Sequence, residues 1–188
     1  MKKLILASNS PRRQELLKGL DLPFSVDTLT SFEESAEPGV EAHKLPSDMA
    51  LGKSLGFHRE LDEDEILVTA DTVVIIDGEP LGKPHSREQA VSMLRTLSGR
   101  THEVVTAVVI RTREELREFS DSTMVTFCDI PEDEICTYVD RYKPYDKAGA
   151  YGVQEWIGYV GISRLEGSFY NVMGFPVHKV WAELRELL

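Results

Sequence analysis

The pattern of apolar and polar positions divides the chain into short strands and amphipathic helices. Leu4–Ala7 is an apolar run long enough for a buried strand, and Ser8-Asn9-Ser10 breaks it. Ser10 suits a helix N-cap and Pro11 the first helical turn, so the pattern predicts a helix over 11–20 with Leu16, Leu17 and Leu20 on one face. Phe24–Leu29 reads as a strand with imperfect alternation, and the acidic stretch from Glu33 to Pro46 as a loop. A helix follows over 47–55, with Ser47 as its cap. Ile66–Ala70 is a strand ending at Asp71, and a second apolar run covers Val73–Ile76. Asp77-Gly78 is a hairpin signal, returned by Glu79–Leu81 and closed by Gly82-Lys83-Pro84.

Ser86–Leu97 is the clearest helix: Ser86 and Gln89 have capping-box spacing, Ala90, Val91, Leu94 and Leu97 form the stripe, and Gly99 stops it. Thr101–Arg111 and Phe119–Phe127 read as neighbouring antiparallel strands across a charged turn at 113–118. A helix begins near Pro131, shows Ile135, Tyr138 and Val139 on one side, and ends at Pro144. A run rich in Gly and Ala covers Asp146–Gln154. Gly158–Leu165 reads as a strand, and the final helix follows Pro176 with Val177, Val180, Trp181, Leu184 and Leu187 toward the core.

Composition narrows the classes. At 188 residues, with 41% hydrophobic and 28% charged residues, the chain fits one soluble domain, or one domain with two lobes. No apolar run approaches the roughly 20 residues of a membrane helix, and the apolar part of MKKLILASNS is too short for a signal peptide, so a cytoplasmic protein without a membrane partner is expected. A net charge of −11 argues against a nucleic-acid polymer as partner but permits a small phosphorylated ligand held by a local basic cluster. Cys128 and Cys136 match no metal spacing and read as reduced thiols. No internal repeat, GxxxxGK[ST] or GxGxxG occurs.

Several side chains carry candidate chemistry. Arg12 and Arg13 stand in a first helical turn, where the helix dipole disfavours cations. A phosphate chain between them and the free N–H groups would resolve that conflict; two solvated surface arginines are the plainer alternative. Asp71 between two buried strands requires a partner, hydrogen bonds or a metal, which favours a functional role over a turn cap. Lys83 sits on backbone fixed by Gly82 and Pro84. Lys53, taken alone, is an ordinary helical lysine, and Glu33-Glu34 an ordinary acidic surface pair. The small residues of 146–154 suit either a backbone that approaches a ligand or a tight loop.

Taken in order, Leu6-Ala7-Ser8-Asn9-Ser10-Pro11-Arg12-Arg13 with Glu15-Leu16-Leu17, Ala70-Asp71-Thr72-Val73-Val74, Leu81-Gly82-Lys83-Pro84, Met93-Leu94, Leu97-Ser98-Gly99 before Thr101-His102, Asp146-Lys147-Ala148-Gly149-Ala150-Tyr151-Gly152, Gly167-Ser168 and Gly174-Phe175-Pro176 resemble the Maf family, the Maf/HAM1-like nucleotide pyrophosphatases once named septum formation inhibitors. The likeness spans nearly the whole chain, 1–188, as a single Maf-like domain. It implies an α/β fold with an elongated mixed sheet flanked by helices, in two lobes around a deep cleft. It also implies a divalent metal, a possible homodimer, and cleavage of a nucleoside triphosphate into a monophosphate and pyrophosphate.

By the same resemblance Asp71 is the proton acceptor, and Ser8, Arg12, Arg13, Lys53 and Lys83 hold phosphates. Glu34, with Glu33 beside it, matches the early carboxylate that serves metal or water. Arg12, Thr72 and Gln154 resemble the specificity markers of the dTTP/UTP branch and differ from those of the branch acting on 7-methyl-GTP. Glu155-Trp156 departs from the small residues that many relatives carry there. The residue types suit such chemistry: four cations offset a triphosphate, Mg²⁺ or Mn²⁺ suits Asp71 and a Glu, and the Gln154 amide could pair with a pyrimidine edge. The alternative from another class is a nucleotide-binding regulator of division with little catalysis; within the same chemistry, modified pyrimidine nucleotides or another base, such as that of 7-methyl-GTP, stay open as substrates.

Overall fold

The structure, a computed structural model, describes residues 2–33 and 39–188. Among these, seven strands form one mixed sheet in the order β2-β1-β3-β5-β6-β7, with β4 paired to β3 off that path. The strands are β1 Lys3–Leu6, β2 Phe24–Val26, β3 Glu65–Ile76, β4 Glu79–Leu81, β5 Thr101–Arg111, β6 Leu116–Phe127 and β7 Ile162–Glu166. The helices are α1 Pro11–Lys18, α2 Leu45–Leu55, α3 Arg87–Leu97, α4 Glu132–Tyr142, α5 Trp156–Gly161, α6 Phe169–Val172 and α7 Val177–Leu187. The expected α/β class is therefore observed. No helix among the described residues is long and apolar enough to cross a membrane.

The chain divides into two compact units: residues 1–71, 106–121 and 174–188 form the first, and 72–105 with 122–173 the second. In the first unit β1 runs parallel to β2 and to β3, with Leu4 opposite Phe24 and Ile66. Its interior includes a cluster of Ile5, Phe57, Leu61 and Leu67, and another of Ala50, Ala107 and Val109. In the second unit β3 turns at Asp77-Gly78 into antiparallel β4, as predicted. There the buried stripe of α3 joins Val74, Ile76, Val125, Phe127, Ile135, Tyr138 and Val139 in one core.

Ser86 caps α3 through the Gln89 N–H at 3.1 Å. The Gln89 side chain accepts from the His85 N–H at 2.7 Å, one residue earlier than a capping box requires. Several boundaries differ from expectation. β3 runs unbroken through Asp71 instead of ending there, because Asp71 is half-buried and paired (below). α1 ends at Lys18, where the Gly19 N–H still finds the Glu15 carbonyl but Asp21 adopts φ 55°. β2 stops at Val26, leaving Leu29 exposed. α2 starts at Leu45 because Pro46 fits its first turn, so Lys44 and not Ser47 occupies the cap position. β6 starts at Leu116 rather than Phe119.

Residues 158–161 are helical rather than extended: α5 buries Ile157 and Gly161 and turns Tyr159 and Val160 outward. A Cβ on Gly158 would fall 1.8 Å from the Val153 carbonyl oxygen, so the turn closes only around glycine. In α7 Val180 and Leu184 are buried, whereas Trp181 is exposed.

Candidate active site

In the first unit the candidate site grows from the turn between β1 and α1. The Ala7 N–H still pairs with the Val68 carbonyl, and the chain then leaves the sheet. Ser8 is buried; its Oγ accepts the Ser10 N–H at 3.2 Å, and its carbonyl accepts Gln14 Nε2 at 3.1 Å. Ser10 in turn accepts the Arg13 N–H, the predicted N-cap. Arg12 is half-buried in the same turn. Arg13 folds back into the protein: Nη1 donates to the Ala70 carbonyl at 2.9 Å and Nε to the Gly174 carbonyl at 2.8 Å. It therefore braces α1 against the backbone immediately before Asp71 and against the segment leading into α7.

Lys53 lies in the last turn of α2, the helix end that favours a cation. The Thr69 hydroxyl donates to the Ala50 carbonyl at 2.7 Å and so fixes α2 against β3. That contact helps deliver Lys53 Nζ to 2.7 Å from Asp71 Oδ1, with the two side chains 16% and 23% exposed. Phe32 packs where a Cβ on Gly52 would be, 2.2 Å from its ring carbon, which brings the segment preceding Glu33 against α2. Glu34, the other expected carboxylate, lies outside the described residues.

In the second unit Thr72 follows Asp71 in β3 and is half-buried. Lys83 is exposed after β4, and the Gly82 carbonyl accepts the Gly149 N–H at 3.1 Å. This bond ties the Lys83 loop to the 146–154 run. Gly149 sits at φ 69° against Val74, and Ala150 follows at φ 61°. A left-handed alanine costs roughly 1–2 kcal/mol, so the packing holds the segment in a disfavoured shape. Gln154 is half-buried, and its Oε1 is buried with no hydrogen-bond partner among the described residues. Leaving a buried acceptor unmet costs about 1–3 kcal/mol, which a donor on a ligand could recover.

Other polar residues of this unit, visible in the sequence only as parts of the family motif, of an apolar face or as a departure from relatives, also make specific contacts. Lys147 is buried, with Nζ 2.8 Å from Asp146 Oδ1 and 3.2 Å from Glu155 Oε1. Tyr138, counted only as part of an apolar face, hydrogen bonds to the Glu155 carboxylate and accepts the Gly152 N–H at 3.0 Å. Burial, with Glu155 adding to it, pushes the Tyr138 hydroxyl pKa up. His102 Nε2 lies 2.6 Å from the Tyr151 hydroxyl, and burial pushes its pKa down to about 4. The signal available in sequence was the Asp-Lys pair opening a run otherwise made of small residues.

Among the described residues no group of three or more His, Cys, Asp or Glu side chains could hold a metal ion. Asp71 nonetheless offers a hard oxygen donor, and its pair with Lys53 uses Oδ1. That donor set fits an ion held mainly by substrate phosphates with one or two carboxylates, the usual manner for Mg²⁺.

A family model described as Maf-like protein matches residues 3–187. The chain belongs to the Maf family. Maf-type relatives named dTTP/UTP pyrophosphatase include one from Porphyromonas gingivalis (strain ATCC BAA-308 / W83), 52% identical over 98% of this chain and 94% of that protein. Another, from Bacteroides fragilis (strain YCH46), is 46% identical over 98% of this chain and 96% of that protein. Among solved structures, the Staphylococcus aureus Ham1 protein matches with a TM-score of 0.54 at 16% identity, covering 98% of this chain and all 100% of that one. A HAM1 protein from Coxiella burnetii matches with 0.52 at 15% identity, over 99% of this chain and 100% of that one. These two show that the Maf fold of this chain is shared with HAM1 proteins.

Proposed function

We propose that this Maf-family chain hydrolyses dTTP and UTP to the nucleoside monophosphate and pyrophosphate, acting in the cytoplasm on free nucleotides, with 1–188 as one functional domain. The observation that carries the reading is the Lys53–Asp71 pair at 2.7 Å, in a chain whose relatives named dTTP/UTP pyrophosphatase include proteins 52% and 46% identical along nearly its whole length. In the proposed reaction Ser8 and Arg12 take phosphate oxygens, with the braced Arg13 adding positive charge. Water attacks the α-phosphorus, Asp71 accepts its proton, and the bond from the α-phosphorus to the bridging oxygen breaks. Lys53 and Lys83 offset charge on the departing pyrophosphate. Thr72 and Gln154 contact the pyrimidine, with the unmet Gln154 Oε1 accepting the ring N–H.

Asp71, with Glu34, would hold Mg²⁺ or Mn²⁺. Such an ion supplies neutralisation of the triphosphate's charge.

The test is a substrate panel of dTTP, UTP, CTP, ATP, GTP and 7-methyl-GTP, with pyrophosphate and monophosphate both measured. Equimolar pyrophosphate and monophosphate from dTTP and UTP, well above the other nucleotides, is the expected result. Orthophosphate as product overturns the assignment of the cleaved bond, and no cleavage of any nucleotide overturns the hydrolytic reading. A preference for 7-methyl-GTP overturns the base assignment. Light scattering on the same preparation checks the homodimer that the family resemblance implies.

A further inference from the structure

The segment that carries Gln154 is held from both sides by one hydroxyl group. The Gly152 N–H, two residues before Gln154, donates to Tyr138 Oη at 3.0 Å, and the Tyr138 hydroxyl donates to the carboxylate of Glu155, one residue after it. The other carboxylate oxygen of Glu155 meets Lys147 Nζ at 3.2 Å, and Lys147 also pairs with Asp146. The Glu155 N–H closes the turn on the Gly152 carbonyl at 3.0 Å.

Tyr138 itself cannot drift. It is fully buried on α4, and its ring stacks on that of Tyr142 at 5.0 Å. Glycine at 152 also leaves room for the carboxylate. A Cβ there would fall 2.9 Å from the Glu155 carboxyl carbon and push the acid off the tyrosine. The turn thus draws on buried Tyr138, charged Glu155 and charged Lys147, while Gln154 in its middle keeps an unmet buried Oε1. The fold supplies no partner for this Oε1, on a turn secured at its neighbours, which leaves the acceptor open to a ligand's donor.

We propose that Tyr138, bridging Gly152 and Glu155, is a positioning residue that sets the Gln154 amide for recognition of the base. The inference rests on the reading of Gln154 as a base contact. Tyr138 touches no reacting atom in this scheme. Its removal acts on which base is accepted and on KM, while the bond-breaking step, served by Asp71, changes less.

The experiment compares kcat and KM for dTTP and for GTP in the wild type, Tyr138→Phe, Gln154→Ala and the double variant, with the thermal unfolding midpoint of each. The expected result for Tyr138→Phe is a loss of at least tenfold in the dTTP-over-GTP ratio of kcat/KM, mostly through KM for dTTP. In the Gln154→Ala background the same change is expected to alter that ratio less than twofold, because the group it positions is already gone. An unchanged ratio in Tyr138→Phe overturns the proposal, and so does an equal fall in both backgrounds, which marks a general packing role.

Should Tyr138→Phe not fold, Glu155→Ala decides: it removes the carboxylate to which the tyrosine hydroxyl donates, and with it the bridge from Tyr138 to the residue after Gln154. A narrowed ratio that depends on Gln154 supports the proposal, and an unaltered or independent one overturns it. Failure of the functional reading shows separately, as a wild type that cleaves no nucleotide or has no pyrimidine preference to lose.

Discussion

Lys53 Nζ and Asp71 Oδ1 lie 2.7 Å apart, joining the last turn of α2 to the middle of β3. A free surface pair of this kind contributes little, but these side chains are mostly covered, and the Thr69–Ala50 bond holds the two elements in place. The lysine thus occupies one carboxylate oxygen and supplies a cation where the proposed reaction builds negative charge.

Asp71→Asn keeps the size of the side chain and removes its basicity. The expected outcome is a folded protein whose pyrophosphate release from dTTP falls by about 100- to 10,000-fold. Circular dichroism and a steady-state assay on the same preparation check it; near-normal turnover in a folded variant removes Asp71 from the mechanism.

Lys53→Met keeps the aliphatic stem and deletes the charge. Turnover is expected to fall by roughly 10- to 1,000-fold, since the group offsets charge developing on the leaving pyrophosphate. Kinetics with dTTP, set beside the unfolding midpoint, separate this loss from any loss of stability.

Chelation tests the metal. Activity is expected to vanish in EDTA and to return on adding Mg²⁺ or Mn²⁺ in excess, because Asp71 offers the hard oxygen such ions take. Full turnover in demetallated protein removes the metal from the scheme.

Arg13 makes a different kind of prediction. It gives two donors to the carbonyls of Ala70 and Gly174, so Arg13→Ala strands both acceptors and unlinks α1 from β3. A loss of about 2–4 kcal/mol in urea unfolding is expected, alongside any loss of turnover. Unchanged stability would show that the brace does no structural work.

His102 predicts a pH dependence. Burial lowers its pKa to about 4, against roughly 6.5 when unfolded. Between those values the unfolded chain binds the extra proton and the folded one does not, so this contribution to stability is full above about pH 6.5 and is lost as the pH falls toward 4. At about 1.4 kcal/mol per pH unit its limit is on the order of 3 kcal/mol. Urea midpoints at pH 7.5 and 5 are expected to differ less in His102→Gln than in the wild type; equal differences overturn the assignment.

Much of the architecture was legible in local patterns. The hairpin at Asp77-Gly78, the Ser86 cap and the cap at Ser10 depend on residues within a few positions of each other, and all three appear as expected. The failures are those in which a distant partner overrode local preference. Asp71 looks like a strand end until Lys53, 18 residues away in sequence, lets it stay within β3. Residues 158–161 look extended until the fit of Gly158 over Val153 closes them into a turn of helix. Of the candidate site, Arg12, Arg13 and Asp71 stood out by charge placed against local logic, Lys83 by its Gly-Pro frame and Glu155 as a departure from the small residues of many relatives, whereas Ser8 came only through the family resemblance and Tyr138 did not stand out, since a tyrosine on an apolar face is unremarkable alone.

By itself the sequence determined most of the strands and helices in their order, though not α5 and α6, together with the family and the positions of the charged residues, because periodicity, capping and turn chemistry are properties of short stretches. The tertiary structure alone decided which charges found partners. It turned Arg13 from a surface cation into a brace, joined Lys53 to Asp71, and placed one tyrosine hydroxyl between Gly152 and Glu155. Hydrogen bonds and ion pairs act over a few ångströms, and residues far apart along the chain come within that range only through folding.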